Sequence, residues 1–231
     1  MKHKASIKGV IIPNDYKWYY SLFKEDSTCP KDIEDILGKA VMGDEVEIDI
    51  NSPGGVINAG SEIYTMLREA AKNMSIKMKI TGQACSAASI IAMAAYCEMA
   101  PTALMMVHCV SSAVRGNHSD MEHMSEVLRT ADEAMCRAYM HKTGMTEKEV
   151  LDMMERETWL TAEQAKEKKL VDAVMFEEKE QHIMTNGIAF ELPTEAMLEQ
   201  ARRFMQKENP DKMDSFFITK MNFLKLKGEK R

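Results

Sequence analysis

Hydrophobic and polar positions alternate with the period of an extended chain in ASIKGVII (residues 5–12), VEIDIN (46–51) and MSIKMKITG (74–82), where Ile76, Met78 and Ile80 share one face. A fourth strand candidate, TALMMVH (102–108), is apolar nearly throughout. Between them the apolar positions take up helical spacing: Ile33, Ile36, Leu37 and Val41 in CPKDIEDILGKAV, a run from about Asn58 to Asn73, and the small-residue stretch CSAASIIAMAAY. A long helix is predicted from Ser119 to Lys142, ended by Gly144. Thr146 with Glu149, and Thr161 with Gln164, have the spacing of capping boxes for two further helices. The strand-like LVDAVMF closes the pattern near residue 176. Strands and helices that take turns in this way predict an α/β domain with largely parallel pairing.

Composition shifts after that point. Residues 1–176 read as the folded domain and 177–231 as a charged C-terminal extension, with a helix from Thr194 to Lys207 and a break at Asn209-Pro210. Of the 231 residues 45% are hydrophobic, enough for a buried core. The net charge of −6 argues against a nucleic-acid partner, and the basic tail KLKGEKR reads as a solvated terminus. No stretch reaches the length of a membrane span, and the start lacks a signal-peptide core, so a soluble cytoplasmic protein is expected. Five cysteines without CxxC spacing suggest reduced thiols rather than disulfides or zinc. His118 and His123 are off the spacing that would share a metal on one helix face, and no cofactor is expected. Of the 22 methionines many fall at core-like helix positions, where Met is a flexible filler.

Two stretches do not fit a plain scaffold. INSPGGVINAG places a proline and two glycines where a strand hands over to a helix; Gly54 and Gly55 either make a turn or present bare N–H groups to a ligand. In GQACSAAS a strand ends at Gly82 and a helix begins near Ser86. Serine at a helix start is ordinarily a cap, yet the same place sets its hydroxyl beside unpaired N–H groups that would stabilise an oxyanion. His108 ends the apolar strand, and strand ends of a parallel sheet converge on one edge. A nucleophile, a general base and a glycine N–H can therefore meet, the minimum for acyl transfer. Cys85 and Cys109, beside Ser86 and His108, leave a thiol nucleophile as an outside alternative that needs a lowered pKa.

INSPGG followed by an AG-containing helix, then GQACSAA, MMVH and ETWLTAEQAKEKKLVDAV, in that order, resemble the signature of the ClpP family of serine peptidases over residues 44–175. The resemblance implies the crotonase-like α/β spiral of repeated β-β-α units, with Ser86 as nucleophile and His108 as general base. Gly55 and Ala87 would supply the oxyanion N–H groups. The family's third triad member is an Asp before the aromatic-Leu-Ser/Thr-Ala segment; here Glu157 stands in that place, and Asp152 on the preceding helix is the fallback. The resemblance further implies a homo-oligomeric ring, a heptamer or a stacked tetradecamer, acting on protein or peptide substrates without nucleic acid or membrane. SSAVRGNHSD occupies the place of the handle where rings meet.

The short N-terminal strand, the ETWLTA segment and the C-terminal extension are similar to ClpP-like proteases of phage and prophage head-assembly clusters, which implies scaffold or capsid precursors as substrates. The alternatives are an inactive assembly protein on the same fold, a housekeeping Clp subunit working with an ATPase, and an acyl-CoA enzyme of the crotonase superfamily.

Overall fold

A computed structural model of the chain describes residues 1–177 and four further positions, Ala196, Leu198, Glu199 and Arg203. Those four are helical and fall within the helix expected from Thr194 to Lys207; the rest of that helix, the Asn209-Pro210 break and the basic tail lie outside the described residues. Residues 1–177, all within the unit Met1–Glu178, are built on an eight-stranded sheet. Its strands are β1 (Lys2–Ile11), β2 (Ser27–Thr28), β3 (Glu45–Gly55), β4 (Ser75–Cys85), β5 (Tyr96–Met99), β6 (Leu104–Val107), β7 (Thr158–Leu160) and β8 (Ala173–Val174). The order is β2-β1-β3-β4-β5-β8, with β6 on β4 and β7 on β6. All pairings are parallel except β6 with β7.

The helices are α1 (Lys17–Phe23), α2 (Pro30–Leu37), α3 (Ile57–Ala70), α4 (Ala87–Ala92), α5 (His118–Thr143), α6 (Glu147–Glu155) and α7 (Ala162–Glu167). One sheet face is apolar: Ile7, Val46, Ile48, Ile50, Met78 and Ile80 are fully buried and meet Ile63 and Leu67 of α3 and Ile91 of α4. Each such side chain taken from water contributes about 1.5–3 kcal/mol, which fixes which face α3 and α4 cover. Both capping boxes form: Glu149 and Gln164 donate their backbone N–H to Thr146 and Thr161. Gly144 closes α5 in the left-handed conformation expected of a terminal glycine.

Several boundaries differ from the sequence pattern. The SPGG stretch is no turn; it stays extended as the end of β3 and pairs with β1, Val10 opposite Gly54 and Ile11 opposite Gly55. Ser52 makes this possible, since its hydroxyl donates to the Gly9 carbonyl at 2.6 Å and accepts the Gly54 N–H at 3.1 Å. Strand β4 runs past Gly82 to Cys85 and changes partner on the way. Lys77–Ile80 pair with β5, while Gln83–Cys85 pair with β6, so the sheet forks and begins to wind as a spiral. At the fork a Cβ on Gly82 would lie 2.5 Å from the Asn51 side chain, where the β3–β4 register shifts. The small-residue helix is only Ala87–Ala92, because Tyr96–Met99 are drawn off as β5. LVDAVMF contributes just Ala173–Val174 to the sheet. The 3₁₀ turn Asn14–Tyr16, α1, β2 and β7 were not expected.

Candidate active site

Ser86 stands between β4 and α4 with φ 55° and ψ −127°, a combination that an L residue with a side chain adopts only under strain. Its side chain makes no capping hydrogen bond, so the simple role of a helix cap does not account for it. The backbone explains the shape. Ser86 N–H donates to the Met106 carbonyl at 3.0 Å, which continues the β4–β6 pairing one residue beyond Cys85. The Ser86 carbonyl then turns to accept three donors: the amides of Ser89 (2.9 Å) and Ile90 (3.3 Å), and the Ser89 hydroxyl at 2.7 Å. Strand geometry on one side and helix geometry on the other leave no relaxed conformation for the residue between.

Gly54 is the neighbour that this turn needs. A Cβ there would sit 2.6 Å from both the Cys85 carbonyl oxygen and Ser86 Cβ, and 3.1 Å from the Ala87 amide. Gly55 is crowded on its other side, where a Cβ would lie 2.1 Å from the Ile11 carbonyl. Val56 N–H donates to that carbonyl at 2.8 Å. Successive amides of an extended chain point to opposite edges, so the Gly55 N–H faces the β4 side, where Ala87 opens α4. Gly60 of α3 completes the packing, with room for no more than hydrogen against the Ala87 methyl.

His108 follows β6 directly and is half-buried. β6 lies beside the end of β4, which places His108 and Ser86 on adjacent strand ends. The β6–β7 register pairs Met105 with Leu160, Met106 with Trp159 and Val107 with Thr158; His108 is the next residue after β6 and Glu157 the one before β7. Ser86, His108 and Glu157 thus follow or precede three neighbouring strands at one edge. Their side chains are not hydrogen-bonded to one another among the described residues. Glu157 is exposed, has a positive φ of 47°, and accepts the Trp159 indole N–H at 3.3 Å. Asp152 is not brought to the histidine: its carboxylate pairs with Lys148 one turn away on α6 at 2.8 Å, which holds it below the usual carboxylate range.

Neither neighbouring thiol is poised for attack. Cys85 is buried, and burial pushes its pKa up. Burial, reinforced by Asp132, pushes the Cys109 thiol up to about 11. A thiolate at neutral pH is therefore disfavoured at both positions. Among the described residues no cluster of His, Cys, Asp or Glu could hold a metal ion.

Two supports were not read from the sequence. Tyr139 of α5 is 1% exposed and its hydroxyl lies 2.7 Å from Ser89 Oγ. Since Ser89 gives its one proton to the Ser86 carbonyl, Tyr139 is the donor, and a two-step hydroxyl chain runs from the core of α5 to the strained serine. Burial raises the Tyr139 pKa well above that of free tyrosine, so it stays a donor. Asp132, also on α5, accepts the Val110 N–H at 2.6 Å and so pins the segment that leaves His108. No sequence signal marks either one, because both contacts join residues 22 or 50 apart in the chain.

A family model described as Clp protease matches residues 36–178, more than half of the chain. The chain belongs to the Clp protease family. Among solved structures, a ClpP1 mutant from Listeria monocytogenes is similar, with 21% sequence identity, a TM-score of 0.60, and coverage of 75% of this chain and 91% of that one. At that identity the likeness is one of fold, and it assigns the forked, mostly parallel sheet described above to the ClpP spiral. The family match spans β3, α3, β4 and α4 through β8, hence every element that carries a candidate site residue.

Proposed function

We propose that this member of the Clp protease family is a serine endopeptidase. The observation that carries the reading is the conformation of Ser86: strained, uncapped, and held against a side-chain-free strand end. In the proposed reaction Ser86 Oγ attacks the scissile carbonyl carbon while its proton passes to His108. The carbonyl oxygen becomes an oxyanion that accepts the N–H groups of Gly55 and Ala87. The C–N bond then breaks, the leaving amine takes the proton from the imidazolium, and water hydrolyses the acyl-enzyme with His108 again as base. Glu157 orients His108 from across the β6–β7 register, after exchanging its Trp159 partner for the imidazole; hydrogen bonds of this kind commonly tighten only when substrate is present. Residues 1–176 form the peptidase domain and 177–231 an extension.

The working form is a ring of seven copies, singly or stacked. The setting is prohead maturation in a phage or prophage, with scaffold or capsid precursors as substrates. What supports that setting is the N-terminal segment, the ETWLTA segment and the charged extension. The exposure of Glu157 and its bond to Trp159 favour one competing reading, an assembly protein that has lost catalysis.

Intact-mass analysis after a fluorophosphonate probe separates the two. One adduct on the assembled wild type, absent in Ser86→Ala and strongly slowed in His108→Ala, is expected. An assembled ring that takes no adduct would sink the peptidase reading.

A further inference from the structure

Among the described residues, nothing covers the outer side of helix α1. It buries none of its residues, and Tyr16 just before it with Trp18, Tyr19, Leu22 and Phe23 are between 47% and 68% exposed. The underside is fastened by polar contacts instead: Lys17 Nζ donates to the Ser27 carbonyl and to Asp32, both at 2.7 Å. On the outer side the rings pack on one another, Trp18 edge-on to Tyr19 at 5.9 Å and Tyr19 against Phe23 at 4.9 Å. A seven-residue helix is far below the length that is stable by itself in water.

We infer that the aromatic face of α1 is a subunit interface, covered by a second copy of this chain. The inference rests on the ring reading above and names a surface that closes it. Five large side chains of about 150–250 Å² each, a little over half exposed, leave roughly 500–600 Å² of apolar surface in one patch. That is the upper end of what a monomer shows to water, and most of the ~800 Å² that each partner brings to a stable interface. Shape argues against an extended substrate as the occupant. An unfolded peptide is read by a groove or a sheet edge, whereas α1 is convex, and two surface depressions among the described residues lie elsewhere, along α3 and the end of α5, lined by Tyr64, Arg68, Met74 and His141. Rigid rings on a convex helix fit a preformed hollow in a folded partner. Ring closure requires that hollow to be a different surface of the neighbouring copy, not its own α1.

The test is sedimentation velocity on the full chain, wild type against Trp18→Ser/Phe23→Ser, with Trp18 emission followed in a Trp159→Phe background that leaves Trp18 as the one indole. Loss of two aromatic anchors should raise the subunit dissociation constant on the order of 10²–10³-fold. The variant then sediments as a smaller species with unchanged far-UV dichroism, and Trp18 emission shifts to the blue as protein concentration rises. A variant that assembles like the wild type, or Trp18 emission of the Trp159→Phe protein that does not move with concentration while that protein assembles, overturns the inference and leaves the ring intact. A wild type that is monomeric at every concentration overturns the ring reading and this surface with it. A blue shift that appears only when unfolded casein is added assigns α1 to substrate and likewise overturns it.

Discussion

Removing Ser89 or Tyr139 should loosen the nucleophile in a way that stability alone does not explain. Tyr139→Phe deletes a buried donor but leaves Ser89 still bonded to the Ser86 carbonyl at 2.7 Å, so the loss is one neutral hydrogen bond, about 1 kcal/mol. Ser89→Ala is worse. It takes one of three donors from Ser86 and strands the Tyr139 hydroxyl in a site only 1% exposed, for about 2–3 kcal/mol. The double variant Ser89→Ala/Tyr139→Phe leaves no orphaned hydroxyl and should therefore be roughly 1 kcal/mol more stable than Ser89→Ala alone. Strain of about 1–3 kcal/mol at Ser86 is of the same size as the anchor that opposes it. Without the anchor the serine relaxes, and fluorophosphonate labelling should slow about 10–100-fold in both variants that lack Ser89, against only a few-fold in Tyr139→Phe. Denaturant unfolding gives the energies and the labelling rate gives the geometry. Strictly additive energies, or a labelling rate in Ser89→Ala equal to that of wild type, would refute the hydroxyl chain as a positioning device.

Gly54→Ala should cost about 2 kcal/mol or more and abolish labelling, since its Cβ meets the Cys85 carbonyl and Ser86 Cβ at 2.6 Å. Gly43→Ala, also at positive φ but with nothing within 4 Å, should cost only about 1 kcal/mol and keep full labelling; equal effects in the two would show that backbone strain alone is at work. Glu157→Gln should lower peptidase turnover by about 10²–10⁴-fold with ring assembly unchanged, and an unaltered rate would take Glu157 out of the mechanism. Glu47, flanked by Lys79 and Lys2, has its pKa lowered to about 2 from an ordinary 4.5. Its contribution is complete above about pH 4.5 and is lost as pH falls through about 2, so the gap in thermal stability between wild type and Glu47→Gln should narrow steadily on acidification; a gap independent of pH would contradict this.

What the sequence by itself determined is what neighbours along the chain decide. The alternation of Ile76, Met78 and Ile80, the α5 span with its Gly144 stop, and the Thr146–Glu149 and Thr161–Gln164 caps all depend on residues within a turn or two of each other. The ordered segments from INSPGG to ETWLTA were likewise sufficient to point to the family. Tertiary structure decided the rest. SPGG looked like a turn because proline and glycine favour turns locally, yet β1 offers it hydrogen bonds and Ser52 satisfies the odd amide, so it stays a strand. The small-residue helix stops at Ala92 because β4 has an open edge that Tyr96–Met99 can fill. Ser86 reads locally as a cap, and only the bond from its amide to Met106, twenty residues on, strains it out of that role. Tyr139, Asp132 and the exposed face of α1 carry no local signature at all. Their roles come from which surfaces the folded sheet brings together or leaves open, a property of strand order and long-range packing that no short window of sequence contains.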